Sequence, residues 1–379
     1  MKEQKILNKI AGANGKTGHA QPLGTKPNDE CYTAMSDILK EMNHWANLNK
    51  FNGKNIICPC DWDIVEGEDI YSITIKYNDD DVDVNGNSVH KIESVIYNLW
   101  NEDEDKLIPI QLKEDEIDGF LRDKLTCNFI RTFVQNARKW GIKSITASGY
   151  NPANGKGVKF QDVDYSKYDI CCTNPPFSLY AEFMKTIVGK VDFIVLAPFL
   201  NRVNPNVGGY LFRREAYLGW GHLGHSSNNN MHLKFNNPTS ANMYKVKEVA
   251  CDWITSFAEA QEYRNEHYKN HKSGVDYNLY KDEYEEMENI TMKDGTHPIR
   301  VPSKQFPDNY YGWMFAAVNV LSEINFEEYE WYGTSFSGYY NSHPEINPFL
   351  GKWSTKHNGK LMFHGIVFRR KSEEVSKND

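Results

Sequence analysis

No stretch of the sequence is apolar for long enough to cross a bilayer, and the first residues lack the apolar core of a secretory signal. Secretion and membrane insertion are not expected, and a cytoplasmic protein is. Cysteine is sparse, with seven in 379 residues. An odd number spread through a long chain excludes the dense disulfide framework of a small secreted domain. No CxxC pair and no matching His spacing accompanies Cys58 and Cys60, or the adjacent Cys171 and Cys172, so no metal site is expected. Both pairs stand in apolar, strand-like runs, NIICPC and YDICC, where cysteine serves as a small buried hydrophobe.

An excess of positive charge is also missing: the formal net charge is −8. Its distribution matters more than its sum. Residues 64–124 hold seventeen acidic and six basic side chains, a local net of −11 that leaves the remainder at +3. A basic surface elsewhere is therefore compatible with the average. Residues 1–30 form a Gly- and Lys-rich arm with Lys2, Lys5, Lys9, Lys16 and Lys26, which reads equally as a solvated tail or as a holder of phosphates.

What is present is alternation. Met35, Ile38, Leu39, Met42 and Trp45 fall on one helical face, and a short strand follows at Asn55 to Cys58. The acidic stretch then interrupts a strand, helix, strand progression with a predicted hairpin about Asn85-Gly86 and the NEDED run at Asn101 to Asp105. Thr126 is placed to cap a helix carrying Phe129, Ile130, Phe133, Val134 and Ala137, with Gly141 as its stop. Strands are predicted at Ser144 to Ala147, Tyr168 to Cys172 and Phe193 to Leu196, with a helix from about Ser178 to Val188 between the last two. Further strands fall near Trp253 to Phe257, Tyr329 to Tyr332 and Leu361 to Arg369. Short apolar strands alternating with helices predict an α/β protein, a mostly parallel sheet with helices on both faces. Its ligands would collect at the carboxyl ends of the strands. The expected organisation is a catalytic domain over residues 31–260, with residues 64–124 inserted, and a C-terminal region over residues 261–379 that completes the sheet.

The chemistry points to Thr173-Asn174-Pro175-Pro176-Phe177, set between the strand YDICC and a helix that Ser178 could cap. Two consecutive prolines fix φ and restrict the residue before them, which makes a rigid polar notch. An exocyclic amine is a poor nucleophile because its lone pair is delocalised into the ring. Acceptors on its two hydrogens favour the pyramidal form and stabilise the developing positive charge. The side-chain oxygen of Asn174 and the carbonyl of Pro175 can supply two acceptors, and Phe177 a flat face for an extruded base. A strand-to-helix turn that happens to hold Pro-Pro is the plainer alternative.

TNPPFSLYAEF resembles the catalytic motif of the EcoRI-type adenine-specific DNA methyltransferases, and other segments agree in order. ECYTAMSDI resembles that family's N-terminal tyrosine-threonine segment and NIICPCDWD its first cofactor strand and loop. CNFIRTF and ITASGYNP resemble the next helix and strand, while VACDWITSF and NGKLMFHGIVFRR echo later ones. The resemblance covers most of the chain as spaced blocks. It implies a Rossmann-like methyltransferase fold, S-adenosylmethionine as cofactor, double-stranded DNA as partner and a flipped adenine as substrate. By the same resemblance Asn174, Pro175, Pro176 and Phe177 would be catalytic. Tyr32 and Thr33 would touch the methionine part of the cofactor, and Cys58, Pro59, Cys60 and Asp61 would form its first loop, the Asp61 carboxylate near the amino acid end. Asp162, or Asp164, would accept from the cofactor's adenine.

Two departures stand out. The first loop is not the Gly-rich turn common in methyltransferases, and the acidic stretch is longer than the resemblance requires: an inserted lobe, a partner site or a self-association surface. The Asn-rich run at Ser226 to Asn237, with His222, His225 and His232, reads as a loop rather than as a metal cluster, and contact with bases is one use open to it. An RNA base, a protein glutamine or silent nucleic-acid binding remain as alternatives. A cognate restriction endonuclease, an orphan role and a mobile element are all open, and no nuclease motif suggests a fused one.

Overall fold

The computed structural model describes residues 32–64, 67–82, 88–152, 154–198, 205–220, 232–236, 246–268, 273–333, 344, 347–350, 356–357, 360–361 and 365–372. The basic arm, the Asn85-Gly86 turn, His222 and His225 lie outside them.

Among the described residues, eleven strands form one sheet. In chain order they are β1 (Tyr32–Thr33), β2 (Asn55–Cys58), β3 (Ile70–Val82), β4 (Ser88–Asn101), β5 (Lys106–Gln111), β6 (Ser144–Ser148), β7 (Ile170–Thr173), β8 (Asp192–Pro198), β9 (Tyr217–Leu218), β10 (His232–Asn236) and β11 (Val246–Thr255). Four of them, in the order β6-β2-β7-β8, run parallel at the centre. These are the apolar runs of the sequence, and the reason is burial on both faces. Ile57, Cys171, Phe193, Val195 and Ala197 enter one core, while Ile56, Cys58, Ile170, Cys172, Ile194 and Leu196 enter the other. The cysteines of YDICC are thus core residues, each fully buried.

Outside the centre the sheet is antiparallel, which corrects the expectation of a mostly parallel one. β3 pairs with β6, β4 with β3 and β5 with β4, all antiparallel, so the acidic insertion is no detached lobe. Its strands carry the sheet on to an edge at β5. On the other side β11 lies antiparallel to β8, with β10, β1 and the short β9 beyond. His232 to Asn236, expected in a loop, are the strand β10.

Helices cover both faces. α1 (Met35–Asn47) buries Ile38, Met42 and Trp45, the predicted stripe. α2 (Glu114–Lys124) closes the insertion. α3 (Asn128–Trp140) buries Phe129, Ile130, Phe133 and Ala137 and stops at Gly141, whose φ of 65° is left-handed. A Cβ at Gly141 would also stand 2.2 Å from Oδ1 of Asn52. Thr126 does not cap this helix: its hydroxyl donates to Asp63, and Cys127 takes the N-cap position without a side-chain bond to the helix backbone. On the opposite face lie α4 (Tyr180–Ile187) and α5 (Pro205–Phe212). α4 starts later than expected and without a Ser178 cap. Pro176, at φ −61°, leads first into a 3-10 turn over Phe177–Leu179, closed by the Leu179 N–H on the Pro176 carbonyl at 3.0 Å.

The described strands of the C-terminal region do not join this sheet, against the expectation that the region completes it. β12 (Ile299–Arg300), β13 (Met314–Ala317), β14 (Tyr329–Gly333) and β15 (Gly365–Arg370) make a separate sheet in the order β12-β13-β15-β14. Its Met314, Phe315 and Phe368 share one core with Phe183, Phe193 and Val195. The region therefore caps a face that a four-strand parallel centre has to cover somehow.

Candidate active site

The chain leaves β2, builds β6 on one side of it and then crosses to β7 on the other. The crevice where successive crossovers part is the place at which open α/β sheets hold ligands. At this point the loop Cys58-Pro59-Cys60-Asp61 leaves the carboxyl end of β2, and the notch Asn174 to Phe177 leaves that of β7. Two sequence blocks far apart in the chain become neighbours.

Asp61 joins them. Its residue is only 5% exposed. Oδ2 accepts from the hydroxyl of Thr173, and the carboxylate also accepts from the backbone N–H of Asn174. Oδ1 faces the thiol of Cys127 at 3.7 Å. Burial pushes Asp61 up to about 7 against the pull of these bonds, and the charge of Asp63 adds to the rise. Burial, and then Asp61 and Asp63, push the Cys127 thiol up as well, so it keeps the proton that it offers to Asp61. The carboxylate that the resemblance sets near the amino acid end of a cofactor is turned inward and bound to the notch.

Several other sequence-derived residues converge here. Cys58 and Pro59 are buried, and Ser148 Oγ holds the Pro59 carbonyl at 3.3 Å. Cys60 is half-buried against the core. Thr33 is 2% exposed, and its carbonyl accepts from Asn128 Nδ2 at 2.9 Å, beside Cys127 at the start of α3. Tyr32 pairs with Asn236 at the edge of the sheet; its side chain lies outside the described residues. In the notch Asn174, Pro176 and Phe177 are half-buried and Pro175 is buried. Phe177 packs partly on the core beneath α1 and α3.

The two acids before β7 part company. Asp162 is exposed at the end of a short 3-10 turn, whereas Asp164 accepts from the N–H and hydroxyl of Ser166 and pairs with Lys167. Asp164 is thus a local cap. Thr173 and Cys127 were not read as site residues from the sequence. Their signal was faint: each begins or opens a block noted for other members. A cleft beside Asp61 is lined by Trp62, Asp63, Glu68, Ile70, Asp123, Lys124 and Thr126. Lys124 pairs with Glu68, and Trp62 Nε1 donates to the Ile70 carbonyl at 2.9 Å, so the wall keeps an acidic surplus.

No family model matches the chain, and no curated protein and no solved structure matches it either. The site's meaning rests on its own geometry: a rigid polar turn and a buried carboxylate, hydrogen-bonded to each other across a topological switch point.

Proposed function

We propose that this protein transfers a methyl group from S-adenosylmethionine to the exocyclic amine of adenine in double-stranded DNA, on a Rossmann-like methyltransferase fold. The observation that carries this reading is the meeting of Asp61, after β2, with Thr173 and Asn174, after β7, at the switch point of the sheet. The cofactor supplies an electrophilic methyl on a positively charged sulfur. The residues present suit such a group: the cleft beside Asp61 is walled by Asp63, Glu68 and Asp123 against the cation Lys124, an acidic surplus that favours a cation. The loop Cys58 to Asp61 and Thr33 would hold its amino acid end, and the exposed Asp162 its adenine.

The notch does the rest. Asn174 and the Pro175 carbonyl accept from the two hydrogens of the target amine, and the half-buried Phe177 offers its remaining ring face to the base. An amide is too weakly basic to take a proton, so displacement comes first and the proton leaves to solvent. Positioning and electrostatics provide the acceleration.

Single-molecule sequencing of DNA from a methylation-free host expressing the chain tests this. Methyladenine in one recurring context is the expected outcome. Unmodified DNA, from a protein that binds S-adenosylmethionine, would move the substrate to RNA or a protein glutamine; failure to bind the cofactor would leave a silent binding protein.

A further inference from the structure

We propose that Asp61 is a positioning residue for the notch, a strut through which the loop after β2 sets the orientation of Asn174. The inference rests on reading the notch as the seat of amine chemistry, and it assigns Asp61 a task other than pairing with a ligand's charge.

The bonds define the task. One carboxylate receives both the hydroxyl of Thr173 and the N–H of Asn174, the side chain that precedes a peptide unit and the N–H of that same unit. Two bonds to adjacent groups fix the plane of that unit, and with it the backbone from which the Asn174 side chain departs. On its other side Asn174 precedes Pro175, which restricts its own conformation. The side chain is therefore anchored from both directions: upstream by Asp61, downstream by the proline ring.

The strut has a second foot. Cys127, at the start of α3, reaches Oδ1 of the same carboxylate at 3.7 Å. The next residue, Asn128, holds the carbonyl of Thr33 at 2.9 Å. The loop after β2, the start of α3, strand β1 and the notch thus share one polar network, so a displacement of the loop is passed to Asn174. A buried acid with a raised affinity for its proton is a costly way to fill space. An apolar residue there would leave the Asn174 N–H without its acceptor.

The test uses the full chain and three variants, Thr173→Val, Asp61→Asn and Asp61→Ala. Hydrogen exchange of the Asn174 amide is measured beside S-adenosylmethionine affinity and the single-turnover methylation rate at saturating cofactor. Thr173→Val is expected to speed exchange about tenfold and to slow the single turnover by roughly 10- to 100-fold, with cofactor affinity within about twofold of the parent. Asp61→Asn, which keeps an acceptor, is expected to recover most of what Asp61→Ala loses. Unchanged exchange at Asn174 in Thr173→Val and Asp61→Ala would overturn the strut, as would rate losses that match losses of cofactor affinity. If the parent chain methylates nothing, the proposed function fails, and the exchange data alone decide the strut.

Discussion

The crevice and the acidic hairpin carry the same functional group in opposite surroundings. In the turn between β4 and β5, Glu102, Asp103, Glu104 and Asp105 are exposed; the Asn101 side chain accepts from the N–H of Asp103 and of Glu104, and Glu102 and Glu104 pair at the surface with Lys156 and Lys106. In the crevice Asp61 is shut away from water and has a definite donor on each oxygen. Counting charge along the sequence finds the first group at once and passes over the second. A carboxylate becomes informative when solvent can no longer satisfy it, because every neighbour must then answer for it.

The largest expected difference between the two regions is catalytic. Asn174→Ala should lower single-turnover methylation by at least about 100-fold while leaving cofactor affinity within about threefold. Near-normal turnover, measured by quench-flow on methyl-free DNA, would remove the notch from the chemistry.

Next comes the pH dependence of stability. The Asp61 carboxyl has a folded-state value of about 7 against an ordinary 3.8, so the native state binds the proton more tightly than the unfolded chain does. Its contribution to stability accordingly falls as pH rises from about 4 to about 7 and is level beyond. Asp61→Asn cannot titrate. Denaturant melts at pH 4.5 and pH 8 should show the variant gaining on the parent by up to about 3 kcal/mol across that interval. An equal gap at both pH values would mean that the carboxyl titrates as it does in water.

The smallest effect is expected on the hairpin. Replacing Glu102, Asp103, Glu104 and Asp105 by their amides should keep the methylation rate within about twofold and the melting temperature within about 2 °C, since exposed charges contribute little. A clear gain in DNA affinity on fluorescence titration would place this turn near the duplex and break the contrast.

The parallel centre of the sheet was legible because strands buried on both faces leave unbroken apolar runs, and the α1 stripe and the Gly141 stop were legible because helix periodicity and a left-handed turn have local chemistry. The notch showed itself by two prolines after a strand. What stayed hidden was direction and partnership. Nothing in the residues of β3 says that it will pair antiparallel with β6, since strand pairing is settled by the whole sheet. The separate C-terminal sheet was hidden for the same reason: Tyr329 to Tyr332 and Phe368 read as strand residues, the strand at Met314 and Phe315 went unread, and only the uncovered face of β7 and β8 says where they go. In the site, Cys58 to Asp61 could be placed at a strand end, but an aspartate turned inward and one turned outward are written identically. The inward turn depends on Thr173 and Cys127 being in place.

The edge at β5 bears on how the molecule behaves in a crowd. A long sheet with an open side is a template on which another chain can add its own strand. Here the outermost strand is KLIPIQ, with Pro109 set against Asn98 of β4 and exposed, as are Lys106 and Gln111. Proline has no N–H to offer a newcomer, and the charged turn at Asn101 to Asp105 stands at its entry. At the far side, among the described residues, stands the short β1. The same insertion that lengthens the sheet also brings it to a stop, which keeps an eleven-stranded surface from becoming the seed of an aggregate.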